Sequence, residues 1–326
     1  MSTKARYLGI GALVVLMVAG AWIEPIQSQP KYPTRAIDMY VPLAAGASTD
    51  LTARLTAGYM AKKFGVPVNV INKPGGNTVI GSLEVYNAAP DGYTLLGDSI
   101  NSCSVLAVAV KNLPFKIMDR SFIAVTSGTG GVLTVPANSP FKTVADVIQE
   151  AKRDLAGFTW TSLGGASFID AFLRQFFRAA GIDYFKTKPI MCQGGSQAVV
   201  LTAGGHVKMG GATPTGALPA VQAKTVRVLA ITGNTRDPEY PDVPTFTELG
   251  YPSVNLYNWN SLSGPPNLPP HIVGILEKTM EEMTKDPEII EKMKNLKMVP
   301  YYHNAKESKE KVGSEIADLQ KIFQAM

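Results

Sequence analysis

Pro42-Leu43-Ala44-Ala45-Gly46-Ala47-Ser48-Thr49-Asp50 joins two stretches of different periodicity. Residues 36–42 upstream read as a strand. Downstream, Leu51, Leu55, Tyr59 and Met60 recur at roughly helical spacing and predict a helix over 49–64. The turn between them carries small side chains, which let another molecule approach the backbone closely. Ser48, Thr49 or Asp50 can cap the helix. N–H groups at a helix start, with the helix dipole behind them, favour an anion, and the Ser48 and Thr49 hydroxyls add donors. On local chemistry alone a plain capped turn fits as well.

The same strand-to-helix rhythm continues outward. Strands are expected at 66–71 and 93–98, with a Gly-rich entry and a helical body over 75–87 between them. A second set starts after Pro136, with helices at 143–153, 167–180, 196–203 and 215–223. Its strands are expected at 158–161, 187–191, 207–211 and 226–232. Helices at 271–285, 287–296 and 305–323 close the chain. Alternation of this kind predicts an α/β fold with mostly parallel sheets covered on both faces. The 326 residues are long for one domain and comfortable for two. Two crossings, near 125–136 and 256–266, would let two lobes hinge about a shared ligand cleft. The expected division is 30–127 plus 256–326 for lobe 1 and 128–255 for lobe 2.

Three further turns have the chemistry of the first. Thr161-Ser162-Leu163-Gly164-Gly165-Ala166-Ser167 and Gln193-Gly194-Gly195-Ser196-Gln197 each follow a strand and open a helix, and Asp98-Ser99-Ile100-Asn101 follows a strand. Ligands in open parallel sheets bind outside the carboxyl ends of strands. Turns facing each other across a cleft would suit a ligand with two acidic ends. Phe168, Tyr257 and Trp259 are aromatic candidates for the cleft wall, although a hinge aromatic also packs as core.

These motifs carry a family likeness. Tyr32-Pro33-Thr34-Arg35-Ala36-Ile37, the run 41–50, Asn72-Lys73-Pro74-Gly75-Gly76 and Ala89-Pro90-Asp91-Gly92-Tyr93-Thr94-Leu95 resemble the Bug/TctC solute receptors of tripartite tricarboxylate transport. Pro241-Asp242-Val243-Pro244-Thr245 and Glu248-Leu249-Gly250-Tyr251-Pro252 are similar to that family's later signature. The resemblance runs from about Tyr32 to the C-terminus. It implies a periplasmic, two-lobed receptor of the class II periplasmic-binding-protein type with membrane permease subunits as partners; a monomer without a cofactor is expected. It also implies a ligand carboxylate held by N–H groups and hydroxyls of the first turn, at Ala44, Ser48 and Thr49. Ser99 and the 162–167 turn, with Ser162, Gly164, Ala166 and Ser167, would complete the cleft.

The second lobe departs from the family pattern. Phe168-Ile169 stands where a His-Leu pair is usual, and Cys192-Gln193-Gly194 where Tyr-Lys-Gly is usual. Ala212-Thr213 replaces a common acidic position. Phe168, Gln193 and Thr213 therefore join the candidate ligand contacts, and an aromatic or less highly charged acid becomes a candidate ligand.

The first 29 residues read as a secretory signal peptide. Lys4 and Arg6 precede an apolar run over 7–22, and a polar stretch from Glu24 and Pro25 follows, with cleavage expected between Ala21 and Pro30. No Cys follows the run to take a lipid. Removing this segment takes away Lys4, Arg6 and Glu24 and lowers the formal net charge from +5 to +4. A modest positive balance suits anionic solutes by long-range attraction. Its dispersed Lys and Arg do not form the stripe of a nucleic-acid binder.

Enzyme signatures are incomplete. Gly165-Ala166-Ser167 opens like a nucleophile elbow, but Ile169 occupies the final Gly position. There is no Walker A motif and no G-x-G-x-x-G after a strand. His206, His271 and His303 have no metal-ligand spacing. Cys103 and Cys192, the only two cysteines, are expected as separate buried thiols. The leading expectation is a receptor that captures a small organic anion for uptake by a permease. A periplasmic sensor feeding a signalling protein uses the same cleft, and a periplasmic hydrolase is the third alternative.

Overall fold

Ile37, Met39 and Val41 are fully buried while Asp38 and Tyr40 between them are partly exposed, the period-two pattern of a strand. In the computed structural model, which describes residues 31–323, this is β1 (Ile37–Val41). A single compact unit begins at Pro33. Helix α1 (Ser48–Phe64) follows β1 and stops at Gly65, whose φ of 70° closes the last turn as its N–H donates to Ala61 O. Then come β2 (Val68–Asn72), α2 (Val79–Tyr86), β3 (Thr94–Ser99), α3 (Ser104–Ala109) and β4 (Arg120–Thr129).

The chain next enters the second lobe. Its elements are β5 (Val132–Pro136), α4 (Val144–Arg153), β6 (Thr159–Ser162), α5 (Phe168–Ala179), β7 (Lys188–Met191), α6 (Gly195–Ala203), β8 (Gly210–Ala212), α7 (Pro214–Gln222) and β9 (Val226–Ile231). It returns through β10 (Asn258–Pro266), α8 (Pro270–Lys285), α9 (Pro287–Asn295), β11 (Val299–His303) and α10 (Ala305–Phe323).

The first lobe holds a six-stranded sheet in the order β11-β4-β10-β3-β1-β2. Only β1–β2 and β1–β3 are parallel. The returning strand β10 inserts between β3 and β4, antiparallel to both, and β11 adds an antiparallel edge. The mostly parallel sheet expected from the sequence is therefore a mixed one. The sequence reads 256–266 as a crossing, with Trp259 before a Pro-rich break, but 258–266 is strand β10. The strand accommodates that break with register shifts at Gly264/Pro266. In the second lobe β5 lies between β8 and β9, antiparallel to both. There β6 and β7 form a parallel pair, tied towards β8 by the Trp160–Met209 bridge.

Helix α5 is the spine of the second lobe. Every residue from Phe168 to Phe177 is buried. Phe177 meets Trp160 at 5.1 Å between ring centroids, and Phe176 meets Phe246 at 5.6 Å. At the hinge the two crossings lie side by side. Gly131 N–H donates to Thr232 Oγ1 at 2.8 Å, Thr232 N–H to Gly131 O at 2.8 Å, and the Thr232 hydroxyl to Leu256 O at 2.6 Å. A Cβ at Gly130 would sit 2.5 Å from Thr232 O, so only glycine allows this approach. Trp259 is fully buried, and its indole N–H donates to Glu315 at 3.0 Å. It packs as hinge core. Cys103 and Cys192 are free and buried.

The expected signal peptide lies outside the described residues. Among the described residues, no helix is long and apolar enough to cross a membrane.

Candidate functional site

Asp50 shapes the first turn. It occupies the third position of α1, is 1% exposed, and accepts from Gly46 N–H at 2.8 Å, Asn72 Nδ2 at 2.8 Å and Arg54 Nε at 3.1 Å. Asn72 also donates to Leu43 O at 3.1 Å. The turn is thus stitched to α1 and to the end of β2. Burial pushes the Asp50 carboxyl up, but its bonds from Arg54, Gly46 and Asn72 and the guanidinium charge outweigh it and hold the carboxyl below its usual value. The N-cap residue is Ala47, with no side-chain cap. Ser48 and Thr49 therefore spend no hydroxyl on capping, contrary to one reading of the sequence. Ala44 is exposed, Ser48 half-buried and Thr49 buried.

Asp170 repeats the device in the second lobe. It too is the third residue of its helix, and it is fully buried. It accepts from Ser162 Oγ at 2.5 Å, Leu163 N–H at 2.8 Å and Ser167 Oγ at 2.7 Å. Ser167 is the N-cap and accepts from Asp170 N–H at 3.1 Å. Gly164 and Gly165, at φ of 90° and 88°, make the bend. The Ser162 and Ser167 hydroxyls are consumed by Asp170. Gly164 is exposed and Ala166 half-buried.

The neighbouring strand ends complete this face of the lobe. Ser162 pairs with Met191 in register, and Cys192 N–H donates to Ser162 O at 2.9 Å, so the turn bearing Gln193 lies beside the 162–167 turn. Gln193 is exposed, and its N–H donates to Gln197 Oε1 at 2.8 Å. Thr213 caps α7, accepting from Gly216 N–H at 3.2 Å. Gly211 N–H reaches Thr161 Oγ1 at 3.2 Å and joins this strand end to the others.

One bond crosses between the lobes at these turns. Asn101, just beyond β3, accepts from the N–H of Phe168, the first residue of α5, at 2.8 Å. The β3 end of the first lobe is thereby held against the helix start of the second. Sequence reading placed the 98–101 turn at this end but singled out Ser99. Ser99 is fully buried beside Ser102, with 3.4 Å between the two hydroxyls. Its neighbour Asp98 is spent on Arg120 at 3.1 Å and on Ser102 and Ser263. Phe168 is 3% exposed and packs on Phe172 at 5.4 Å. Asp50, Asp98 and Asp170 each belong to a separate structural network, with no pairing between them. No group of three or more His, Cys, Asp or Glu among the described residues can hold a metal ion.

The arrangement leaves the first turn of α1 without a side-chain cap, whereas at the start of α5 the N–H groups of Phe168 and Asp170 are already taken by Asn101 and Ser167. Residues 52–326 match the model of the tripartite tricarboxylate transporter family receptor. The chain belongs to that family. Among curated relatives of this receptor, the protein in the gbd 5′ region of Cupriavidus necator is 31% identical over 96% of the chain and 95% of its own length. Protein BugT of Bordetella pertussis is 30% identical, covering 86% of each. A solved periplasmic transporter superposes with a TM-score of 0.76 at 28% identity, over 90% of this chain and 98% of its own. Two more distant structures share the two-lobed fold. MatC from Rhodopseudomonas palustris with bound malate has a TM-score of 0.75 at 23% identity, over 90% of this chain and all of its own. An R. palustris protein with adipate has a TM-score of 0.76 at 22% identity, over 90% and 98%. The family is one of transporter receptors.

Proposed function

We propose that this receptor captures a small organic carboxylate between its lobes outside the cytoplasm and delivers it to membrane permease subunits. The observation that carries the reading is the Asn101–Phe168 bond. It brings the strand ends of one lobe to the start of α5 in the other. Helix-start N–H groups lack intrahelical acceptors and favour anions. Ala44, Ser48 and Thr49 would hold one carboxylate. Gly164, Ala166, Gln193 and Thr213 would face the rest of the ligand, with Ser99, Ser162, Ser167 and Phe168 shaping the walls. Two acid-recognising ends suit a dicarboxylate, the class to which the malate and adipate of the two distant neighbours belong. Phe168 gives its ring to the hinge core, which leaves the aromatic-acid variant with less support than an aliphatic ligand.

Residues 30–127 with 256–326 would move as one body and 128–255 as the other, with 1–29 removed as a signal peptide on export to the periplasm. Ligand stabilises the closed form only by its differential affinity for it. Native mass spectrometry of protein prepared gently from periplasm tests the reading. A co-purified organic acid, displaced by excess malate or adipate, is the expected result. Protein that carries none, and shows no heat of binding with aliphatic or aromatic mono- and dicarboxylates, would overturn it.

A further inference from the structure

Arg174 has no anionic partner among the described residues although it is 7% exposed. Its Nε and Nη1 are buried without a hydrogen-bond acceptor. Its guanidinium lies over the rings of Phe323 at 4.6 Å and Tyr184 at 5.1 Å, which cover the faces of the cation and leave its edge. The Nη2 end points under the Gly164-Gly165 bend, 3.0 Å from where a Cβ at Gly165 would stand.

Arg174, whose Nη2 is its one nitrogen not fully buried, borders a cavity of about 420 Å³, within the ordinary size of a small-molecule site, about 300–1,000 Å³. Gly164, Gly165 and Arg174 of the second lobe form one wall. Ala107, Val110 and Phe323 of the first lobe form an apolar wall, with Lys111 as a second cation. Ala44, Ser48, Thr49, Gln193 and Thr213 do not border it, and Gly164 is the one cleft candidate that it shares.

A buried charge without a counter-charge is strongly destabilising. A guanidinium edge matches a planar carboxylate better than it matches a spherical ion. We propose that this cavity is a second anion site, separate from the strand-end cleft. It takes a small carboxylate with a short alkyl tail, the head on Arg174 and the tail against Ala107, Val110 and Phe323. Both lobes line it, so its occupant favours the lobe arrangement described here.

Butyrate is the probe, with inorganic phosphate and sodium chloride at equal ionic strength as controls. Two NMR readouts apply: the Arg174 Nε–H signal, assigned by its loss in Arg174→Met, and the Overhauser contact from the butyrate methyl to the Phe323 ring. Butyrate is expected to move the Arg174 signal saturably and to give the Phe323 contact, both in the wild type and in Thr49→Val. Arg174→Met should lose the contact while still capturing the cleft ligand. Absence of the contact in the wild type, or its survival in Arg174→Met, would overturn the site. Phosphate or chloride moving the Arg174 signal as far as butyrate does would overturn the carboxylate assignment. Because the contact is read at Phe323, its failure is distinct from failure of capture in the cleft.

Discussion

Asn101→Ala removes the acceptor that holds the start of α5 against the first lobe. The hydrogen bond exists only while the lobes are together. Its net worth is about 0.5–1.5 kcal/mol, so the closed-to-open equilibrium should fall about 2- to 13-fold. Apparent affinity scales with the fraction of receptor that is binding-competent. If the free receptor is mostly open, Kd rises by that whole factor. If it is mostly closed, Kd rises less and the free protein expands instead. Calorimetric titration and small-angle scattering on the same preparation therefore bracket the effect. Asn101→Asp is the informative contrast. Its carboxylate still accepts the Phe168 N–H, so the lobes stay together, but it places negative charge where the ligand anion approaches, and Kd should rise without expansion. If Asn101→Ala leaves both Kd and radius of gyration unchanged in a folded protein, the bond does not couple the lobes and the reasoning fails.

Thr49→Val keeps shape and burial and deletes one hydroxyl; loss of a hydrogen bond to a charged ligand should weaken carboxylate binding about 10-fold or more, with the melting temperature of the free protein little changed, as calorimetry and thermal melts would read. Asp170→Ala strands the Ser162 and Ser167 hydroxyls and Leu163 N–H; three unmet donors predict about 3 kcal/mol or more of destabilisation, seen as a lower urea midpoint with an unchanged slope. Asp50 has a carboxyl held below its ordinary value in the folded state, so the unfolded chain takes up the proton first and stability falls as pH drops through and below about 4; Asp50→Asn should flatten that acid limb of the pH–stability curve, and an unchanged limb would contradict the network. Cys103 and Cys192 are free and buried, and burial raises the pKa of each thiol, so reductant should leave the melting temperature unchanged and native labelling by a thiol reagent should be slow compared with labelling in urea.

Local patterns carried much of this architecture. Helix α10 was legible to its ends, with Val312, Ile316, Leu319 and Phe323 at helical spacing, and α1 differs by one residue from its expected start. The elements that escaped are those whose identity depends on distant partners. β10 reads as a Pro-rich crossing until β3 and β4 supply its hydrogen bonds. β11 contains Pro300, which an edge strand tolerates and a sequence pattern does not reveal. At the site, the turns at 42–50 and 162–167 were legible from their small residues. The roles within them were not. Asp50 looked like one of three possible caps and Asp170 carried no local signal, yet they organise each turn, because what they bind sits on other elements or across the bend. Asn101 was visible only as a turn residue, since its partner lies 67 positions away.

The repeated placement of a buried acid bears on how an anion can bind here at all. An aspartate at the third position of a helix already satisfies part of the positive helix end, and a second anion nearby would be repelled. In both turns, however, the carboxylate is turned away from the first-turn amides and towards the preceding loop: Asp50 takes Gly46 N–H and Asp170 takes Leu163 N–H. In α1, Arg54 lies against Asp50 at 3.0 Å and neutralises it locally. In α5 no such cation is paired with Asp170; two serine hydroxyls and one amide solvate it instead. The first turn is therefore electrostatically the stronger anion site and the second the weaker one. Reversing the charge balance separates the two. Arg54→Gln should weaken carboxylate capture by leaving Asp50 uncompensated, whereas among the described residues Asp170 has no ion-paired cation to remove, Arg174 at the same i+4 position being turned under the Gly164-Gly165 bend. A ligand whose binding is indifferent to Arg54→Gln but lost with Gln193 or Thr213 would place its acid end in the second lobe and reverse this assignment.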